Sequence, residues 1–585
     1  MSEVIQRFTD KSRSERGVVL IWLSLMLVLL IAVAGLSVDI ANWWLQAGRL
    51  QNSVDAGAHA GAVFLPGDEP EAQLHARREV ARNGFNDGIM AGPIDATVSA
   101  NQLSNKYQLG VSATAEIDNY FIKLIGLDTQ TITRDAIGQF EQPIAMGSPQ
   151  NKIGNDPVEG DDDSQFWINI GAPQSAKEHG DRYHPQKCSS SSTVECDTSE
   201  NPDNQEFVQD GYFFNLTVNS VVAGQPLVVQ VFDGVNAEVG TSCTAATFPS
   251  SSERATLLAM PGPDGLAGTG DEPFTDSAML MSSAGPWCTG DYQNQHANTS
   301  FIVREPDDTP WSNTDNPVID TSTCQPVELP SINDMSGNGT NDEIYRRLYP
   351  EANDTAELFP TYPDFTFVST WRRWATVCTI PAGSVTTGDY LLQIRTNGDP
   401  ADLTAYDSTN TKAGENEMAL RVGFGGAAAT LDGTNVTIAA RQRVSIYANA
   451  NSANTIFYMA RVTPADAGRT VRITLYDMGD ASSAGTLQFF PPAEGNYTNF
   501  TDCAFSRDDG ATLSTATNCK LTNVQYPQFN GRVVNADIRL PSDYFCDETD
   551  PEGCWITVNA AFSGGVYDTT TWSASILGAP VRLIE

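Results

Sequence analysis

Residues 15–62 read ERGVVLIWLSLMLVLLIAVAGLSVDIANWWLQAGRLQNSVDAGAHAGA, and two helical patterns succeed one another in them without a break. Gly17 to Val38 is a run of 22 residues without a charge. As a helix rising about 1.5 Å per residue it reaches about 33 Å, enough for the hydrocarbon core of a bilayer. Lys11, Arg13 and Arg16 precede it, Asp39 closes it, and Trp43 and Trp44 come next, where an interface would lie. The positive-inside rule then predicts a cytoplasmic tail (1–16), a single transmembrane helix (17–40) and an extracytoplasmic remainder. Gly17, Gly35, Asp39, Trp43 and Trp44 are its anchor residues. The rival is a cleaved signal peptide, with Val18–Ile31 as its apolar segment and Ala32-Val33-Ala34 as an A-x-A site. The retained anchor is preferred, because the run exceeds the usual length of about 7–15 residues and continues past Ala34 without a breaker.

Beyond the apolar run, Ala47, Leu50, Val54, Ala58 and Gly61 recur at steps of three and four. That spacing continues the helix as an amphipathic stalk to about Phe64. Gly57 and Gly61 form a G-x-x-x-G, which reads either as a self-association face or as a place where a neighbouring element packs closely. The second reading is preferred, since such spacing arises easily in Ala/Gly-rich sequence. Pro66-Gly67 breaks the helix. A short helix is expected over 71–83 with Leu74 and Val80 inward, then strands over 96–100 and 107–116. Asp118 is a candidate N-cap for a short helix containing Phe121, Leu124 and Ile125, before a further strand over 129–140. Residues 41–147 thus read as a small α+β domain on a membrane stalk.

Here the chain resembles the TadG-like proteins of the Tad (Flp-type) pilus-assembly system. The resemblance rests on Glu15-Arg16-Gly17 before the apolar run, Gly35 and Asp39 at its end, Arg49-Leu50-Gln51-Asn52, and Asp55-Ala56. The segment YQLGVSATAEIDNYFIKLIGLDTQTIT (107–133) is similar to the strand, short helix and strand that come next in that family, so the likeness covers residues 15–140. It implies a membrane-anchored accessory whose partners are other pilus-assembly or envelope proteins. Pilins of that system carry Glu five residues after the cleaved Gly; here the fifth residue after Gly17 is Trp22, which argues for an accessory rather than a pilin. Some relatives carry a von Willebrand A-type domain with an Asp-x-Ser-x-Ser motif. Asp320 and Ser322 fit that motif, but Cys324 replaces the second Ser and the adjoining PVELP cannot start the required helix, so that domain is not expected.

The rest of the chain changes character. Residues 148–164, SPQNKIGNDPVEGDDDS, read as an acidic linker with little to bury. From Phe166 onward, short β-branched and aromatic runs recur between turns, among them FWINI (166–170), PLVVQVF (226–232), YLLQIRT (390–396), TVRITLYDM (470–478) and WITVNAAF (555–562). Their length and alternation predict an all-β region of two β-sandwich-like domains, 165–430 and 431–585, divided at the small-residue run 425–429. All ten cysteines lie between Cys188 and Cys554, in the part expected to be exported. The close pairs Cys188/Cys196, Cys503/Cys519 and Cys546/Cys554 are candidate disulfides of an oxidising compartment, and sequence leaves the connectivity open.

The formal net charge is −38, from 72 acidic and 34 basic residues. Residues 1–16 hold four basic and three acidic side chains, a net +1, so the other −39 lies beyond the apolar run. Such acidity argues against nucleic acid as a partner, which needs clustered Lys and Arg. Catalytic signatures are missing: no H-E-x-x-H, no G-x-S-x-G and no Walker A occur, and the chain reads as a non-enzyme. His179, His184, Cys188 and Cys196 stand close enough for zinc, but loop-like flanks and an exported setting favour a disulfide-closed loop. Asp334, Ser336, Asn338 and Asp342 match positions 1, 3, 5 and 9 of an EF-type loop, a donor set that would take calcium. Position 12 is Tyr345, so the bidentate Glu is missing, and a solvated acidic loop is the preferred reading. The rival to the assembly role is an adhesin or carbohydrate-binding protein using Trp167, Trp287, Trp311 and Trp371, although tryptophans in such folds are more often core.

Overall fold

The computed structural model describes residues 2–65, 68–90, 92–104, 106–140, 143–156, 166–190, 193–196, 203–237, 299–307, 309, 312–329, 374–396, 414–426, 431–450, 454–479, 481, 483–564, 566–577 and 581–584. It divides into two compact units. The first is made of residues 1–142, 308–311 and 578–585, the second of 143–307 and 312–577.

The first unit is built on α1, Ser2–Ala62, a single helix of 61 residues. At about 1.5 Å per residue it is about 90 Å long. From Val19, at 63%, to Val38, at 48%, its apolar part is exposed except at Gly35, while the stalk half buries Ala47, Leu50, Val54, Ala58 and Ala62. The buried face is the one the three-four spacing predicts. Polar Ser24 and Ser37 do not interrupt the apolar half, because each hydroxyl donates to a carbonyl three or four residues back, Ile21 O and Val33 O. Helix α2, Glu69–Arg82, starts on Asp68, whose side chain accepts from Glu71 N–H. It buries Ala72, Ala76 and Val80, with Leu74 only half-buried.

These helices cover a sheet of β1 (Phe85–Asn86), β2 (Ile94–Gln102), β3 (Gln108–Asp118), β4 (Thr129–Phe140) and the C-terminal strand Val581–Ile584, in that order. On β3 the alternation places Leu109, Val111, Ala113, Ala115 and Ile117 in the core. The approach between layers is close. A Cβ on Gly138 would lie 2.2 Å from the Ala58 carbonyl oxygen, and one on Gly61 would lie 2.5 Å from Ala72 O and 2.4 Å from Leu109. A Cβ on Gly57 would meet Val80 and Ala76. The G-x-x-x-G face is therefore occupied from within the unit, as the close-packing reading expects.

The second unit is β-rich. One long sheet runs through neighbouring strands Trp374–Ile380, Leu227–Ala237, Glu415–Phe424, Phe166–Gly171, Arg443–Ala450, Val566–Ile576, Thr470–Tyr476, Val533–Arg539 and Cys503–Arg507. Two shorter sheets accompany it: one contains Thr299–Arg304, Gly388–Thr396, Tyr212–Val218 and Val436–Arg441, the other Asn454–Arg461, Trp555–Phe562, Gly485–Phe490 and Lys520–Val524. A single hydrophobic cluster joins residues of all three, from Phe214 and Val229 to Phe457, Phe489 and Trp572. Disulfides staple the layers. Cys324–Cys378 ties the strand at 374–380 to the chain entering Val327–Leu329, and Cys503–Cys519 ties the strand at 503–507 to the chain entering Lys520–Val524.

The layers are sandwich-like, but the compact units do not part at residue 430. Strand Phe166–Gly171 pairs with Glu415–Phe424 on one side and Arg443–Ala450 on the other, so the main sheet runs through both halves. The chain crosses from a shorter sheet to the long one at Gln442, whose φ of 66° turns it between Val436–Arg441 and Arg443–Ala450. Nor does the segment from Ser148 behave as a linker where it is described. Strand Lys152–Ile153 pairs with Leu420 and Arg421, and Asp156 is buried and accepts from Trp374 Nε1 at 3.0 Å. Ser148, Asn151 and Asp156 thus find partners within the protein, a pairing that composition does not reveal.

Candidate functional site

Three of the five anchor residues singled out in the sequence, Gly35, Asp39 and Trp43, gather at one point of the first unit, where the apolar half of α1 gives way to the stalk. Asp39 is fully buried, and its carboxylate accepts three backbone bonds: from Tyr120 N–H at 2.8 Å, Phe121 N–H at 2.9 Å and Ile122 N–H at 2.7 Å. These are the free N–H groups that open the short 3-10 turn Ile122–Ile125. The sequence assigned that capping role to Asp118. The structure gives it to Asp39, some eighty residues earlier, because a carboxylate from a neighbouring element can reach all three donors at once.

Gly35, one turn before Asp39, receives the side chain of Phe121: a Cβ on Gly35 would lie 2.7 Å from its ring. A glycine inside a helix costs about 1 kcal/mol relative to alanine, and here the close approach accounts for it. One turn after Asp39, Trp43 Nε1 donates to Asn119 Oδ1 at 2.7 Å. Asn119 closes the loop behind it, its amide donating to Leu127 O and its backbone N–H to Asp128 O. Gly35, Asp39 and Trp43 thus form a clamp of three successive turns on the loop 119–128. Trp44 faces away and is 78% exposed. Gly17 lies within α1, and its side-chain surroundings fall outside the described residues. The sequence placed Phe121, Leu124 and Ile125 on a short helix; none of the turn's residues is buried.

Beside the clamp is an open polar cleft of about 610 Å³, lined by Asn42 and Gln46 of α1 and by Asp95, Thr97, Glu116 and Thr131 of the sheet among others. It offers hydrogen-bonding groups and carboxylates.

The other predicted sites divide. Cys188–Cys196, Cys503–Cys519 and Cys546–Cys554 are disulfides. Since Cys188 and Cys196 are joined, they supply no thiolate for zinc, and among the described residues no group of three or more His, Cys, Asp or Glu could hold a metal ion. The loop they close is held by Glu178, whose carboxylate accepts from Ser189, Ser190 and Thr193. The calcium candidates Asp334, Ser336, Asn338 and Asp342 lie outside the described residues, as do Trp287, Trp311 and Trp371. Trp167 is core, fully buried against Phe232.

Sequence reasoning missed a knot of buried titratable groups beside that loop. Asp181 accepts from Tyr212 Oη at 2.5 Å and Gly171 N–H at 2.7 Å, and burial raises its carboxyl to about 6. Burial lowers His184 to about 3, so its neutral ring accepts Thr396 N–H through Nε2 at 3.1 Å. Glu415 accepts from Thr569 Oγ1 at 3.0 Å and is raised to about 8, chiefly by burial, with the charges of Asp181 and Asp568 adding. At 0–2% exposure these groups knit the core rather than face a ligand.

Comparison with known proteins adds one match. Residues 17–63 match the protein family described as "Putative Flp pilus-assembly TadE/G-like". The matched stretch runs through the apolar half of α1, the clamp residues Gly35, Asp39 and Trp43, and the buried stalk face. No curated protein and no solved structure matches the chain.

Proposed function

We propose that this chain is a single-pass membrane-anchored accessory of a Flp-type pilus-assembly system, working through extracytoplasmic protein–protein contacts rather than catalysis. The observation that carries the reading is the coincidence of the family match at 17–63 with a helix long and apolar enough to cross a membrane. Two further observations support it. Basic residues precede the apolar run, which favours a cytoplasmic N-terminus. Four disulfides are described, all beyond that run, which favours an oxidising compartment for the rest. In this reading α1 fixes the chain in the cell membrane, and the polar cleft and the β-rich second unit present surfaces to pilus-assembly or envelope partners.

Deleting the gene and imaging surface filaments tests the role. Loss of filaments, restored by the full chain, is expected. Normal filaments with lost attachment to glycans would overturn the assembly role in favour of an adhesin. Intact-mass measurement of the membrane fraction tests the anchor, since a product beginning at Gly35 would refute it.

A further inference from the structure

The loop held by the clamp has an unusual surface. Between Asp118 and Asp128 it presents Tyr120 at 57% exposure, Leu124 at 82%, Ile125 at 79% and Leu127 at 57%, with Lys123 the single charge among them. Soluble loops expose polar groups, and an apolar tip of this kind marks an interaction surface. Its position shows what covers it. Asp39 binds the backbone of residues 120–122, and Phe121 lies against Gly35, inside the apolar run that ends at Val38. Asp39 stands four residues beyond Gly35 on the helix, so the Phe121 ring sits about 6 Å deeper along α1 than the carboxylate that pins its backbone. Leu36, Val38 and Ile40, on the same turns of α1 as Gly35 and Asp39, are themselves 39–48% exposed, so helix and loop both present apolar surface at this level.

We infer that the tip 120–127 inserts into the same bilayer leaflet that α1 leaves, making a second, monotopic contact with lipid beside the transmembrane helix. This rests on the membrane-anchored reading. Tyr120 and Trp44 suit the headgroup level, and Lys123 can extend its stem past apolar neighbours to keep its ammonium in water. Asp39 meanwhile supplies acceptors for three N–H groups that lipid could not satisfy. The contact would hold the first unit at a fixed tilt and rotation on its stalk, which a lone helix leaves free.

The full chain, reconstituted in vesicles of phosphatidylethanolamine and phosphatidylglycerol, tests this with p-benzoyl-phenylalanine as photo-cross-linker at one position per sample. The positions are Leu124, Trp22 in the apolar half of α1, and Leu103 at the far end of the β2–β3 hairpin. Lipid adducts by mass spectrometry at 124 and 22, and their loss at 103, are expected. Adducts at 22 but not at 124 overturn the inserted tip and leave the anchor standing. Cross-links from 124 to protein instead of lipid overturn it in favour of a protein-covered tip. Adducts at neither position refute the anchor itself.

Discussion

Asp39 shows how much one side chain can organise. It ends the apolar run in sequence, and in space it gives three N–H groups of a distant loop their acceptor. Replacing it by Ala leaves those donors without a partner in the protein, while Asn keeps one acceptor oxygen. Asp39→Ala should therefore speed amide exchange at residues 120–122 at least about tenfold, with Asn intermediate. Glu415 makes a prediction of opposite character. Its folded value, about 8, lies above the unfolded 4.5, so the folded state keeps a proton the unfolded state has lost. Its stabilising contribution is complete below pH 4.5 and falls as pH rises toward 8. His184 acts the other way, costing stability only as pH falls below 6.5, and the Asp181 contribution is spent by about pH 6. Of these three groups only Glu415 changes stability between about pH 6.5 and 8, where its share of the loss in the second unit is about 1–2 kcal/mol, at most about 1.4 per pH unit. Denaturant unfolding across that range checks it, and Glu415→Gln should flatten the slope. None of this was legible beforehand: a buried carboxyl and a solvated one look alike in an acidic sequence.

Among the elements, α1 and the disulfides were the most legible. The three-four spacing of Ala47, Leu50, Val54 and Ala58 marks the buried face because a helix repeats about every 3.6 residues whatever packs on it. The close cysteine pairs are joined as their spacing suggests, since a short loop brings its ends together at little entropic cost. Cys324–Cys378 was not legible, because its partners are 54 residues apart and meet only through sheet packing. By chain entropy that long closure is worth about 4 kcal/mol, against about 2.5 for the short Cys188–Cys196 loop. Replacing Cys324 and Cys378 together by Ala should lower the unfolding midpoint of the second unit more than replacing Cys188 and Cys196, a comparison that thermal denaturation of the two variants makes directly. The 3-10 turn lies where the sequence placed a short helix, but so short a segment shows no period from which the facing of Leu124 and Ile125 could be read.

For the molecule as a whole, the chain path is the main departure from expectation. The last strand, Val581–Ile584, belongs to the first unit: Val581 pairs with Phe140 and Leu583 with Gly138 on β4. The second unit is thus an insertion between two strands of the first unit's sheet, tethered to it at both ends. Removing residues 578–585 should uncover the edge of β4 and the buried contacts of Val581, destabilising the first unit by about 2 kcal/mol. Faster amide exchange at 137–140, with the second unit's disulfides intact, is the expected signature.

The sequence alone determined the apolar helix, its stalk face, the shift to β structure and the N-terminal likeness, because each depends on local periodicity or composition. Only the tertiary structure decided the continuous sheet across residue 430, the return of the C-terminal strand, and the clamp of Gly35, Asp39 and Trp43 on the loop at 119–128. Each of these is a pairing of residues far apart in the chain. Such pairings are set by which backbone donors and apolar faces remain unsatisfied once local structure has formed, and a single sequence carries no record of that competition.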